Sequence, residues 1–151
     1  MQTVTTFTLR DAFAAAIRDI VPTAEPLRDV RWSYVQSPRK NSRAVLPPST
    51  RSFDLIFRDA QPSYLWVGGR GSAYVVRLAV ATSYSGVEPE LREGLKAQDA
   101  VDLRRALRKL IDPVVGGLCD VSVSGEQNET EAETTAYVEH AFLVHYHQAT
   151  A

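Results

Sequence analysis

Three stretches of this chain alternate in side-chain character with the period of a β-strand, and this alternation constrains the fold more than any other feature. Residues 52–58 have phenylalanine or leucine at every second position. Residues 73–84 and 134–147 show the same period over longer stretches. A strand that is apolar at alternate positions lies with one face on a core. Because the connections in this part of the chain are too short for parallel crossovers, an antiparallel hairpin or meander is predicted.

Shorter strands are predicted around residues 29–35, 63–67 and 118–124. A glycine-rich turn at residues 68–71 separates the second of these from the long strand that follows. The last two strands are joined by residues 125–133, GEQNETEAE. This acidic link is predicted to be an exposed turn.

Two stretches have the period of an amphipathic helix. The first covers residues 9–21, with Thr8 as its predicted N-cap. The second covers residues 99–112, with Asp99 as its predicted cap. The apolar stripe of this second helix contains Ala100, Leu103, Leu107 and Leu110. The predicted fold class is therefore α+β, a single antiparallel sheet with two amphipathic helices packed on one face.

The chain has 151 residues, the size of one ordinary domain, and it shows no internal repeat. Residues 1–151 are predicted to form a single α+β domain with a long exposed loop at residues 36–50. That loop holds three prolines and three serines but no aromatic residue. Its charged residues are Arg39, Lys40 and Arg43, with no acid among them. Long loops in compact domains often carry function, so this loop is a candidate contact surface.

Charge is distributed unevenly along the chain, although the formal net charge is only -1. Residues 1–51 hold eight Lys or Arg against four Asp or Glu, whereas residues 110–151 hold seven acids and no Lys or Arg. In a closed ring each subunit uses one patch to contact a different patch on its neighbour, so opposite charges can attract at every contact. A subunit interface is therefore predicted. Its candidate residues are Arg39, Lys40 and Arg43 on one subunit and Glu129, Glu131 and Glu133 on the next.

Cys119 is the only cysteine, so the chain cannot form an internal disulfide or a cysteine-rich zinc site. No basic leader precedes a long apolar run, and no stretch approaches the roughly 20 apolar residues that span a bilayer. These features lead us to expect a soluble protein without a membrane partner, located inside the cell that makes it.

For each candidate catalytic or ligand site, a purely structural role explains the residues better than a chemical one. His145 and His147 lie on the same side of a predicted strand, but His140 has the opposite parity, and zinc sites use three or four protein ligands. Residues 68–71 lack the lysine and the following helix of a phosphate-binding loop. Asp54 could provide one acid of a restriction-type nuclease site, but the next long strand contains no acid or lysine. The sequence therefore predicts no enzyme, no metal and no cofactor.

The order of these elements resembles that of the tail terminator, or tail-completion, proteins of long-tailed bacteriophages. The matching features are the chain length, the opening helix LRDAFAAAIRDIVP and the proline-bearing loop of residues 36–50. The antiparallel strands, the helix QDAVDLRRALRKLID and the final pair of strands also match. The similarity covers nearly the whole chain as a pattern. The family has no short diagnostic motif, so no functional residue is carried over individually.

The resemblance implies a structural virion protein of the tail and neck, assembled in the host cytoplasm. Such subunits form a ring, usually hexameric, that caps the head-proximal end of the tail tube. The implied partners are the tail tube protein and a neck or connector protein, with DNA passing through the ring without specific binding. Two alternatives stay open here: another neck or head-completion protein, and a stand-alone small-molecule-binding or regulatory domain. A ring former self-associates, whereas a ligand-binding domain has a deep, dry pocket.

Overall fold

The computed structural model describes residues 3–23, 33–36, 51–62, 73–85, 89–124, 128–131 and 135–147. Within these ranges the chain forms two α-helices and six β-strands. Their bounds in chain order are α1 Thr6–Arg18, β1 Tyr34–Gln36, β2 Arg51–Pro62, β3 Ala73–Ser85, α2 Pro89–Arg108, β4 Leu118–Val123, β5 Asn128–Glu131 and β6 Thr135–His147. The predicted strand at residues 63–67, the predicted turn at 68–71 and positions 37–50 of the predicted loop lie outside the described residues.

The six strands belong to one sheet, in the order β1-β2-β3-β6-β4, with β5 also paired to β6. Neighbouring strands are antiparallel except for β1, which runs parallel to β2. The predicted α+β class is confirmed, but the prediction of a wholly antiparallel sheet is wrong at this pair. The physical reason is the length of the connection. Residues 37–50 supply the dozen or more residues that a parallel return requires.

The acidic link before the last strand contains a strand of its own. Residues Asn128–Glu131 form β5, which pairs antiparallel with β6, so the prediction of an exposed turn over the whole of residues 125–133 is wrong. β4 and β5 pair one after the other along the same side of β6, and together they form one interrupted sheet edge. An edge strand is held by backbone hydrogen bonds and needs no apolar side chains, which explains why the alternation pattern missed it.

Helix α1 begins earlier than its apolar pattern indicates. Thr5 is the N-cap, and its Oγ1 accepts a hydrogen bond from the Thr8 backbone N–H at 3.2 Å. The prediction that Thr8 is the cap is therefore wrong, since Thr8 occupies the third helical position. The helix ends at Arg18, four residues before Pro22, and the positive side chain lies in the last turn, where the helix dipole favours it.

Helix α2 spans Pro89–Arg108, ten residues earlier in its start than the predicted 99–112. Asp99 lies in the middle of the helix, so its predicted role as a cap is wrong. The apolar stripe of the second half is confirmed, because Leu103 and Leu107 are fully buried and Leu110 is half-buried just beyond the helix end. The first half lacks a comparable apolar stripe because its buried side includes Arg92 and Lys96.

The buried apolar side chains of the sheet and of both helices form one core cluster. We call the inner face the side that holds Phe53, Leu55, Leu78, Phe142 and Val144. These side chains form a single hydrophobic cluster with buried residues of both helices. The cluster's helix members are Leu9, Phe13, Ala14, Ile17, Leu103 and Leu107. The prediction that both helices cover one face stays a prediction, and this shared cluster supports it.

Candidate assembly interface

The strand register connects the two edges of the sheet in continuous rows. One such row passes from β1 through β2, β3 and β6 to β5, and it consists of Gln36, Phe53, Thr82, Val138 and Glu129. The adjacent row consists of Val35, Ser52, Ser83, Tyr137 and Thr130. Neighbouring strands lie about 4.8 Å apart, so four steps across the sheet cover about 19 Å. The β1 edge and the β5 edge therefore face opposite directions at the same level of the sheet.

The predicted basic loop and the predicted acidic segment start from these opposite edges. Gln36 ends β1 and Arg51 begins the neighbouring strand β2, so the two described residues that flank positions 37–50 lie on this side of the sheet. Glu129 and Glu131 belong to β5 at the other edge. A head-to-tail contact between identical subunits joins two different surfaces of the same chain, and opposite sheet edges are two such surfaces.

Of the six predicted interface residues, the structure positions two. Glu129 pairs with Val138 and Glu131 with Ala136 in the register of β5 and β6. The remaining predicted residues lie outside the described ranges; they are Arg39, Lys40, Arg43 and Glu133. The proposed proximity of the basic and acidic sets on adjacent subunits stays a prediction.

A buried ion pair, not predicted from the sequence, holds Arg51, the first described residue after the predicted basic loop. Arg51 Nε donates to Asp99 Oδ2 at 2.8 Å, and both side chains are fully buried. The Arg51 guanidinium also lies 5.6 Å from the centre of the Tyr34 ring, and its backbone N–H donates to the Ser33 carbonyl at 3.0 Å. The residue that ends the loop is therefore tied to β1, β2 and α2 at once.

The sequence signal for this anchor was the spacing of charges in α2. Arg92, Lys96 and Asp99 recur at steps of four and three, which places them on one side of the helix. All three are buried in the fold. A stripe of charges usually indicates a solvated helix face, so the same spacing can be read either way until the tertiary structure is known.

His140 lies on the inner face of β6 and is only 3% exposed. Burial, together with the nearby positive charge of Lys96, lowers its pKa from 6.5 to about 4. The imidazole is therefore neutral in the folded protein at neutral pH. Its Nε2 has no hydrogen-bond partner among the described residues.

Acidification should destabilise the fold through His140. Between pH 6.5 and about 4 the unfolded chain binds a proton that the folded chain excludes, so the free energy of unfolding falls as the pH decreases through this window. The pKa difference corresponds to about 3 kcal/mol. Urea titrations at a series of pH values should show this loss in the parent and a smaller loss in His140→Leu. Carboxylates titrate in both proteins, so the difference between their pH dependences reports on His140. Equal pH dependence in the two proteins would contradict the expectation.

The other residues considered above as acids or metal ligands are Asp54, His145 and His147. Asp54, considered above for a nuclease, accepts the Leu55 backbone N–H at 2.8 Å. His145 is buried and His147 is half-buried. Among the described residues, no group of three or more His, Cys, Asp or Glu side chains is close enough to hold a metal ion. The absence of an enzyme, metal or cofactor function stays a prediction.

A groove between the end of α1 and the second half of α2 bears on the ligand-binding alternative. It has a volume of about 500 Å³, with Ala16, Ile20 and Ala106 among its apolar lining. Arg105 and Lys109 lie at its polar side, and both are exposed. Its volume is within the range of small-molecule sites, but the groove is partly open to solvent and has charged side chains along one side, whereas such sites are mostly apolar.

No protein-family model and no curated protein matches this chain. In the part of the chain that the structure describes, no helix is long and apolar enough to cross a membrane. Function therefore rests on the geometry and charges of the chain itself.

Proposed function

We propose that this protein is a structural virion subunit that forms a ring, of six copies in the usual arrangement, at the head-proximal end of a phage tail tube. The phage-tail part of the proposal comes from the resemblance in sequence pattern. The observation that supports a ring is the placement of the basic loop's two flanking residues and of β5 on opposite sides of one sheet. Subunits placed side by side then bring one edge of each copy to the opposite edge of the next. Such heterologous contacts close into a ring when the rotation between copies allows it.

The buried anchor supports this arrangement. An interface loop transmits its orientation to the domain only if its base is rigid, and here the base is fixed by the Arg51–Asp99 ion pair. The strand β5 is likewise held along β6 by a regular antiparallel register. Both elements of the proposed contact therefore start from fixed positions, which reduces the ordering cost of association.

The proposed action of the ring is physical capping. A tail tube grows because each of its rings presents an unsatisfied surface to the next. A terminator ring binds that surface with one face and presents a different face to a neck or connector protein, so growth stops and the head can join. DNA passes through the ring without specific binding, and neither step requires a cofactor.

The mass of the protein, alone and beside purified tail tubes, tests the proposal. We expect a ring-sized species, formed either in solution or on the tube ends, with electron micrographs showing one cap per tube. Binding along the sides of tubes, or a monomer that ignores them, would remove the terminator function. A monomer that instead binds a small molecule in the groove between α1 and α2 would favour the ligand-binding alternative.

Charge reversal tests the proposed contact between neighbouring copies. The double variant Arg39→Glu/Arg43→Glu should form rings more weakly, and raised salt should weaken ring formation in the parent. Exposed ion pairs contribute only ~0–1 kcal/mol each, so association rate and orientation should change more than ring stability. Analytical ultracentrifugation over a salt series measures ring formation in both the variant and the parent.

Two further variants test whether the effect of charge reversal is specific to the proposed contact. Adding Glu131→Lys/Glu133→Lys to the first pair should restore part of the lost association. Arg18→Glu/Arg104→Glu is the matched control, since it reverses two exposed arginines on the helices and leaves the proposed edges unchanged. If the four-fold variant behaves as the sum of two independent changes, the contact between these edges is refuted.

A further inference from the structure

The outer strands of a sheet present backbone groups away from the sheet at every second residue. On β2 the Arg51 N–H donates to the Ser33 carbonyl of the chain entering β1, so the odd-numbered residues of this part of β2 face outward. The pairing with β1 covers Arg51 to Phe53. Leu55 is the next outward-facing residue, and among the described residues no strand pairs with β2 on this side beyond Phe53, so an incoming strand would add to the sheet at this point.

Side chains occupy both backbone groups of Leu55. Asp54 Oδ1 accepts the Leu55 N–H at 2.8 Å, and Arg10 Nη1 of α1 donates to the Leu55 carbonyl at 3.1 Å. The Arg10 guanidinium also lies 5.2 Å from the centre of the Phe57 ring, a cation–π contact that holds it beside the strand. An incoming strand would find the hydrogen-bonding groups at this position already taken.

The opposite edge has a similar arrangement. The Ser124 N–H donates to the Ala141 carbonyl of β6, so even-numbered residues at this end of β4 face inward and Val121 faces outward. Arg108 Nη1 of α2 donates to the Val121 carbonyl at 2.7 Å. The same nitrogen lies 3.3 Å from Asp120 Oδ1, which keeps the guanidinium at the edge.

From this repeated arrangement we propose that Arg10 and Arg108 block strand addition by a second copy of this chain at the β2 and β4 edges. At each edge a helix-borne arginine caps an outward carbonyl of a buried strand residue, and an aspartate precedes that residue. Unpaired sheet edges otherwise act as templates for pairing with another chain, and charged side chains are a common protection.

The two arginines then determine the mode of self-association. With these two positions capped, sheet extension at the β2 and β4 edges is disfavoured, so contacts between copies through other surfaces are favoured over an open fibre built by strand addition there. The inference concerns the isolated subunit and does not depend on whether the protein caps a tail tube.

The test compares Arg10→Met, Arg108→Met and their combination with the parent. Methionine keeps much of the side-chain length and apolar area but donates no hydrogen bond. Each change should raise the association constant for sheet-extended species about tenfold, since a backbone hydrogen bond becomes available to a partner. Light scattering measures association beyond the parent's own state, and infrared spectroscopy detects the intermolecular β-sheet band. Arg18→Met and Arg104→Met, exposed arginines of the same two helices, are the matched controls.

Circular dichroism distinguishes loss of the arginine–carbonyl hydrogen bonds at the sheet edges from a general loss of protein stability. Association of a species with the parent's near-ultraviolet spectrum supports the inference, as does its reversal in Arg10→Lys/Arg108→Lys, which restores a donor at each edge. The inference is overturned if the methionine variants do not associate beyond the parent, or if association appears only once native tertiary signal is lost. It is also overturned if the controls associate equally.

Discussion

Asp99→Leu should lower the free energy of unfolding by about 3–5 kcal/mol. The substitution leaves the Arg51 guanidinium buried without the carboxylate that lies 2.8 Å from its Nε, and both side chains are fully buried. Removing one partner from a buried pair is destabilising because the remaining charge loses part of what compensates its desolvation. Urea unfolding, followed by fluorescence or circular dichroism, measures the change.

A variant that replaces both members of the pair is the informative comparison with Asp99→Leu. Arg51→Met/Asp99→Leu replaces both charges by apolar side chains, with Leu keeping the branched shape of Asp, and should recover most of the lost stability, because a buried pair is often no more stable than an apolar replacement. Asp120→Asn is the exposed control, since the Arg108–Asp120 pair is 43% and 40% exposed and should change stability by ~0–1 kcal/mol. If the double variant is as unstable as Asp99→Leu, the cost does not come from the charge that the single variant leaves behind at Arg51.

In the double variant, the stability of the fold and the formation of rings should be affected differently. Without the charged anchor, the end of residues 37–50 loses its tie to α2, whereas the core is expected to stay folded. We therefore expect Arg51→Met/Asp99→Leu to retain a parent-like unfolding midpoint and to form rings less readily. Normal ring formation would show that β1 pairing alone positions the loop.

Leu107→Ala is expected to cost about 2–5 kcal/mol, the range for truncating a buried leucine. Leu107 is fully buried in α2 and belongs to the hydrophobic cluster that includes residues of both helices and of the sheet. Alanine is the best helix former, so backbone propensity contributes no loss, and the change reports the cavity and the lost apolar burial. The shift of the urea midpoint at constant slope measures the effect.

A control on the other side of the same helix separates packing from helix formation. Val101 is 47% exposed, and Val101→Ala should be close to neutral because it improves helix propensity while removing little buried surface. A near-neutral Leu107→Ala would show that the stripe of the second helix is not part of the core. A large loss in Val101→Ala would indicate that a partner or another part of the chain covers that surface.

Periodicity in the sequence was sufficient to predict the elements that bury one continuous apolar side. The three long strands β2, β3 and β6 and the second half of α2 have such a side, and the α+β class follows from them. The apolar face of α1 was visible for the same reason, although its start was placed at Leu9 rather than Thr6. These predictions succeed because the burial that stabilises each element is written in the spacing of its own side chains.

The tertiary structure decided everything that depends on a partner distant in the chain. The first half of α2 buries charges, and Asp99 is buried beside Arg51 on another element, so local apolar period could not reveal either. β5 is a strand because β6 offers it a backbone edge, and β1 is parallel because the following connection is long enough to return. The capping of Leu55 and Val121 likewise joins helix side chains to strand carbonyls. Backbone pairing and buried charge depend on which groups meet in space, and one sequence read locally does not contain that distance information.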